Sequence, residues 1–231
     1  MSAQPLVAVA HGSRDPAAAR ATEALLAEVR RQRPGLVVHA AYLDHEVPRL
    51  ADRLTGLDGA VVVPLLLGAA YHSSVDIPRA VAAAGARVVQ AGVLGPDPAL
   101  LTALERRLAE SGVRAGDPST AVVLAAAGST DVEAVGGVRS LAAGWARRGW
   151  WAVEAGFASA AGPSVGDAVA ALRARGAPRV AVASYLLFPG LFADRLAAAG
   201  ADVTCPVLGD APEVAQVVLA RYDAVVVGPR G

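Results

Sequence analysis

The sequence has a single cysteine, no lysine and no excess of charge of either sign. Cys205 stands alone, so an internal disulfide and a cysteine-based metal site are both excluded. Basic and acidic residues number 21 each, the formal net charge is zero, and no run of basic residues occurs. This balance argues against a nucleic-acid groove and against binding to an acidic membrane surface. The cysteine usage fits a reducing compartment.

Long apolar runs are also missing. The longest, residues 60–71, is shorter than the roughly 20 residues that a membrane-spanning helix needs. The N-terminus shows no basic segment followed by an apolar core, as a signal peptide would. We therefore expect a soluble, cytoplasmic protein. With 231 residues the chain can form one domain or two small ones.

Short apolar segments alternate with helical patterns along the first half. The segments 6–10, 36–43, 60–67 and 86–91 are predicted to be strands, and the segments between and after them to be helices. Such alternation predicts an α/β fold with a doubly wound parallel sheet, Rossmann-like or flavodoxin-like, in which ligands bind at the carboxyl ends of the strands.

The same pattern restarts after a stretch rich in glycine, proline and serine at 111–120. Residues 122–131 echo 7–15, and residues 180–192 echo 61–72. This internal duplication predicts two tandem domains, 1–114 and 119–231, with a cleft between the lobes. Residues 225–227 are predicted to form an extra strand, which either sheet could take.

Three polar residues of the first half follow predicted strands. His11 follows the first strand, Asp44 the second and His72 the third. The carboxyl ends of parallel strands share one edge, so the three side chains should converge. Two imidazoles and a carboxylate can bind a divalent first-row metal and leave other positions open. We predict that His11, His72 and Asp44 form a metal site.

The second half carries none of these side chains. Ala127 stands opposite His11, Ser159 opposite Asp44 and Phe192 opposite His72. One site is therefore expected, on the first half.

Three other residues compete for roles in this site. His39 lies within the second predicted strand and is interpreted as packed there. His45 is expected to point away from Asp44 into solvent. Glu46 is the alternative to Asp44 as the working carboxylate.

A Gly-Ser pair follows the first strand of both halves. Gly12 and Ser13 are matched by Gly128 and Ser129. Either these pairs hold an anion against the following helix, or they only make the turn, and the sequence favours neither.

Taken together, three motifs resemble the class II tetrapyrrole chelatases, the sirohydrochlorin chelatase and cobaltochelatase group. They are HGSR at 11–14, YLD at 42–44 with Pro48, and PLLL at 64–67 with His72 and DIP at 76–78. The degenerate second half is similar to that of the long, duplicated members. The family usually has glutamate where this chain has Asp44.

The resemblance implies the class II chelatase fold and ATP-independent insertion of a divalent metal into sirohydrochlorin. His11 and His72 would hold the metal and accept protons, while Asp44 orients it or supplies a third ligand. The absence of a GxxxxGK[ST] loop fits a reaction without nucleotide. No tightly bound cofactor is expected, because the metal is a substrate.

Iron for sirohaem synthesis is favoured as the metal. The alternatives are cobalt, for cobalamin synthesis, or nickel, and a non-catalytic tetrapyrrole or metal carrier is the alternative from another class. A monomer is expected, since the fused second half replaces the partner of a single-domain relative. The predicted contacts to the carboxylate-rich macrocycle are Gly12, Ser13, Arg14, Arg79, Ser129 and Arg195.

Overall fold

The computed structural model describes residues 4–57, 59–68, 75–84 and 87–226, and it contains two four-stranded parallel sheets. The strand order is β2-β1-β3-β4 in the first sheet and β6-β5-β7-β8 in the second. The elements of the first repeat are β1 (Leu6–Ala10), α1 (Pro16–Gln32), β2 (Val38–Tyr42), α2 (Leu50–Leu54), β3 (Val61–Pro64), α3 (Ile77–Ala84), β4 (Val89–Gln90) and α4 (Pro98–Glu110). Those of the second are β5 (Thr120–Ala126), α5 (Val132–Ala146), β6 (Ala152–Phe157), α6 (Val165–Ala174), β7 (Arg179–Tyr185), α7 (Leu191–Ala197), β8 (Val203–Thr204) and α8 (Pro212–Val226).

The central strand of each sheet is buried along its whole length. Every residue of β1 and of β5 is buried, as expected for a parallel strand covered by helices on both faces. The helix that follows each of them begins at a capping aspartate. The Asp15 carboxylate accepts a hydrogen bond from the Ala17 amide at 2.8 Å, and Asp131 does the same for Glu133. The predicted α/β fold with two parallel sheets is confirmed.

The chain folds into two compact units that do not coincide with the two sequence halves. One unit comprises Met1–Gly95 together with Asp210–Gly231, and the other comprises Pro96–Gly209. The last helix of each repeat therefore belongs to the unit built mainly by the other repeat. The predicted boundaries, 1–114 and 119–231, describe the repeat and differ from the units by this exchange of α4 and α8.

Helix α8 is held in the first unit by buried and polar contacts. It packs on α1 and β3, and its residues Val214, Val218 and Tyr222 are buried at helical spacing. The Tyr222 hydroxyl donates a hydrogen bond to the Gln4 carbonyl at 2.7 Å. Residues 225 and 226 belong to this helix, so the predicted extra strand at 225–227 was wrong for these two positions. The helical burial period outweighs the strand preference of a short valine run.

Helix α4 is held in the second unit in the same way. It packs against β7, with Leu100 and Leu104 fully buried. Glu105 accepts a hydrogen bond from the Trp145 indole at 2.8 Å, and Arg107 donates to the Leu208 carbonyl at 2.9 Å. The amphipathic pattern of α4 predicts a helix but carries no information on which sheet it covers.

Within the described ranges, no helix combines the length and the apolar character that crossing a bilayer would require.

Candidate active site

The loops after β1 and β2 are joined by backbone contacts. The Leu43 amide donates to the Ala10 carbonyl at 3.0 Å, and the Asp44 amide donates to the His11 carbonyl at 2.8 Å. Gly12 has φ +91°, and a Cβ there would lie 1.8 Å from the Asp44 carbonyl oxygen. Only glycine fits this close approach. His11 and Asp44 are thereby brought together at the carboxyl edge of the first sheet.

The Asp44 carboxylate is engaged by two donors. Its Oδ1 accepts hydrogen bonds from the His45 amide and from the Arg49 guanidinium, each at 2.8 Å. The pKa of Asp44 is lowered to about 2, first by the hydrogen bond from Arg49 and then by that from the His45 amide. The carboxylate is therefore ionised at any physiological pH, although half of its side chain faces solvent.

His45 lies against both residues of this cluster. Its Nε2 is 3.5 Å from Asp44 Oδ2, and its ring lies edge-on to that of His11 with the ring centres 6.4 Å apart. The expectation that His45 points away from Asp44 was wrong. The backbone of His45 is left-handed, with φ +61°, so the alternation of a strand no longer predicts where its side chain points.

Glu46 is turned toward the end of β2. Its Oε1 is buried, next to Tyr42. Burial, followed by the charges of Glu46 and Glu23, raises the pKa of Tyr42 to about 12. Glu46 thus lies beside Tyr42 and not in the group formed by Asp44, His45 and Arg49.

The remaining predicted residues are dispersed. His39 lies within β2, and burial, followed by the charges of Arg53 and Arg30, lowers its pKa. Arg14 and Arg79 are exposed, on the loop after β1 and in α3 respectively. His72 lies outside the described residues. Among those described, no three His, Cys, Asp or Glu side chains form a ready metal-binding group.

The second unit repeats this backbone without the reactive side chains. Gly128 has φ +90°, and a Cβ there would lie 1.8 Å from the Ser159 carbonyl oxygen. This is the same distance as between a Cβ at Gly12 and the Asp44 carbonyl oxygen. Ala160 is left-handed like His45, with φ +56°. Ala127 and Ser159 occupy the places of His11 and Asp44, so the repeat preserves the turn and loses the imidazole and the carboxylate.

Both Gly-Ser pairs have a structural role. The Ser13 hydroxyl accepts a hydrogen bond from the Asp15 amide at 3.1 Å, and the Ser129 hydroxyl accepts one from the Asp131 amide at 3.0 Å. Each serine thus organises the turn that leads into a capped helix. The turn-making interpretation therefore accounts for their presence in both repeats.

Comparison with known proteins identifies the family. The sequence pattern of the CbiX family matches residues 5–111 and again residues 121–225. The chain belongs to the CbiX family. The two matches coincide with the two repeats, and the predicted resemblance to class II chelatases is confirmed.

Several individual relatives support this assignment. A sirohydrochlorin cobaltochelatase of Priestia megaterium is 27% identical over 81% of this chain and 65% of its own length. The chain thus spans about two thirds of that relative. The structure of CbiX, described as the terminal enzyme of sirohaem biosynthesis in denitrifying bacteria, is 30% identical with a TM-score of 0.74, over 96% of this chain and 99% of that one. Bacillus subtilis SirB with Fe³⁺ shares the fold, with a TM-score of 0.76 at 23% identity over 96% of this chain and 95% of SirB.

The described part of the candidate site contains the ionised Asp44 carboxylate and the neighbouring imidazoles of His11 and His45. Neutral imidazole nitrogens and carboxylate oxygens are ligands of divalent iron, cobalt and nickel, and an imidazole also accepts protons near neutral pH. Sequence reasoning missed the approach of His45 to His11 and the pairing of Arg49 with Asp44. The turn between the strand and Pro48 was the available signal, because alternation stops where a strand ends.

Proposed function

We propose that this protein is a sirohydrochlorin chelatase that inserts Fe²⁺ into the macrocycle without ATP. The observation that carries the proposal is the convergence of His11 and Asp44 on the first unit, at a position where the second unit has Ala127 and Ser159. Membership of the CbiX family supports the substrate, because the CbiX and cobaltochelatase relatives act in tetrapyrrole metallation.

The proposed mechanism assigns two tasks to the site residues. The metal must exchange bound water for the ring nitrogens, and the pyrrole N–H groups must lose their protons. His11 and His72 hold the incoming ion. The carboxylate of Asp44 stays ionised and supplies a negative charge beside the ion. Two pyrrole protons leave for each divalent ion inserted, and the imidazoles of His11 and His72, freed as the ion passes to the ring nitrogens, accept them and release them to solvent. The reaction needs no nucleotide and no resident cofactor.

Metal preference is tested by supplying the ions separately. Anaerobic Fe²⁺ and Co²⁺ are added to sirohydrochlorin and protein, and the initial rate is read from the change in the absorption spectrum of the macrocycle. We expect the faster rate with Fe²⁺ at cellular concentrations. A faster rate with Co²⁺ would instead make the protein a sirohydrochlorin cobaltochelatase, the activity named for its Priestia megaterium relative.

The same assay distinguishes an enzyme from a carrier. A carrier would stop at one metallated macrocycle per chain, whereas the proposed chelatase turns over repeatedly. We further propose that the protein acts as a cytoplasmic monomer, and light scattering of the purified chain checks its oligomeric state. Gly12, Ser13, Arg14, Arg79 and Ser129 remain predicted substrate contacts.

A further inference from the structure

The carboxyl edge of the second sheet carries two arginines that lack a carboxylate partner within the described chain. Arg139 donates a hydrogen bond to the Gly162 carbonyl at 2.8 Å, and Arg195 donates one to the Ala158 carbonyl at 3.2 Å. Both guanidinium groups therefore lie at the loop after β6, and both residues are exposed. Arg173 and Arg175 of the same unit instead pair with Asp202 and Glu154.

Aromatic and aliphatic surface accompanies these charges. The Arg139 guanidinium lies 5.9 Å from the centre of the Phe157 ring, and that of Arg195 lies 5.7 Å from the centre of the Phe192 ring. Phe192 is 37% exposed, and Leu191 beside it is 65% exposed. Val132, the first residue of α5, is 83% exposed. Cations set among exposed apolar groups suit a flat apolar ligand with peripheral anions.

Arg139 has an acidic counterpart in the first repeat. Glu23 and Arg139 occupy equivalent positions, since each lies at the same distance beyond the capping aspartate of its helix. The charge of Glu23 raises the pKa of Tyr42 at the end of β2, and Arg139 correspondingly lies over the Phe157 ring at the end of β6. At this one position the scaffold is therefore acidic in the first unit and basic in the second.

We infer that Arg139 and Arg195 form a carboxylate-binding site for the macrocyclic substrate, with the exposed apolar residues of the same unit, Val132, Leu191 and Phe192, contacting its ring. This inference rests on the proposed function, because it takes sirohydrochlorin as the ligand. Of the two arginines, Arg195 was already a predicted contact from the sequence.

The test is binding of metal-free sirohydrochlorin under anaerobic conditions, followed by its absorption spectrum. Arg139→Gln and Arg195→Gln should each raise the Kd about fivefold, and the double variant should raise it further. The KM should rise in parallel while kcat is unchanged. Arg139→Lys and Arg195→Lys keep the charge and should retain most of the affinity, and the differences should shrink at high salt.

Arg147→Gln is the matched control. Arg147 is exposed and caps the other end of α5, about two helical turns from Arg139, and it too has no carboxylate partner among the described residues. The Kd of the Arg147→Gln variant for sirohydrochlorin should equal that of the wild type. If both Gln variants melt normally and bind as tightly as this control, the carboxylate site is refuted, although wild-type turnover would leave the proposed chelatase standing. If the wild type neither binds nor metallates sirohydrochlorin, both proposals fail.

Discussion

The ring of His45 lies edge-on to the ring of His11, with the two ring centres 6.4 Å apart. A metal held by one nitrogen of each ring at about 2.0–2.1 Å would place the ring centres up to about 6.4 Å apart. That limit applies to a linear nitrogen–metal–nitrogen arrangement, so the two rings must approach each other to share an ion of tetrahedral geometry. His45 also lies beside Asp44, so the loop after β2 brings an imidazole and a carboxylate to His11.

Replacement of His45 should weaken metal binding. His45→Ala is expected to lower the affinity for Co²⁺ about tenfold, because one imidazole next to His11 is lost. Alanine tolerates the left-handed backbone here, as Ala160 does at the equivalent position. Titration of Co²⁺ followed by visible absorption measures the effect. His39→Ala is the control, and equal affinities for the two variants would exclude His45 from the site.

Arg49 should control the titration of Asp44. The pKa of Asp44 is lowered to about 2, and Arg49→Met should return it toward the ordinary value of 3.8. Because the folded pKa is depressed, the associated stability is present above the unfolded value and is lost as the pH falls through about 2. Carboxyl chemical shifts recorded by NMR across the acid range measure this change. An identical Asp44 midpoint in the two proteins would show that Arg49 has no such control.

Gly12 and Gly128 should be the least replaceable of the left-handed glycines. Gly12→Ala and Gly128→Ala are each expected to reduce the free energy of unfolding by about 3 kcal/mol or more, because a backbone carbonyl occupies the place of the Cβ. Gly35→Ala has a similar φ, +85°, with open space around the Cβ, and should cost about 1 kcal/mol. Urea denaturation compares the three. Equal losses would mean that φ alone, and not the close approach, sets the cost.

Core substitutions in α4 and α8 should each destabilise the unit to which the helix belongs. Leu104→Ala in α4 should destabilise the second unit by about 2–5 kcal/mol, and Val218→Ala in α8 should destabilise the first by about 1–2 kcal/mol. Hydrogen exchange locates each effect. Faster exchange is expected in β5 and β7 for the α4 variant and in β1 and β3 for the α8 variant. The opposite distribution would contradict the exchange of helices.

Sequence reasoning predicted the features that depend on local pattern. Buried apolar segments with Asp15 and Asp131 after them indicated the two central strands and the helices that follow, and the Gly-Ser pairs showed the duplication. It did not predict the features that depend on tertiary contacts. The amphipathic pattern of α8 does not indicate which of the two sheets the helix covers. Residues 225 and 226 extend this helix although valine favours strands.

The site shows the same division. The position of Asp44 beside His11 follows from the shared edge of parallel strands, which the sequence predicts. The orientation of His45 does not, because a left-handed residue after a strand reverses the direction that alternation would give. The pairing of Arg49 with Asp44 likewise depends on the turn that leads into α2.

The most direct test of the central claim is the rate of anaerobic Fe²⁺ insertion into sirohydrochlorin by the wild type and by His11→Ala, with His39→Ala as the matched histidine control. We expect repeated turnover by the wild type and by the control, and loss of most activity in His11→Ala with an unchanged melting temperature. A near-normal rate in His11→Ala would contradict the account.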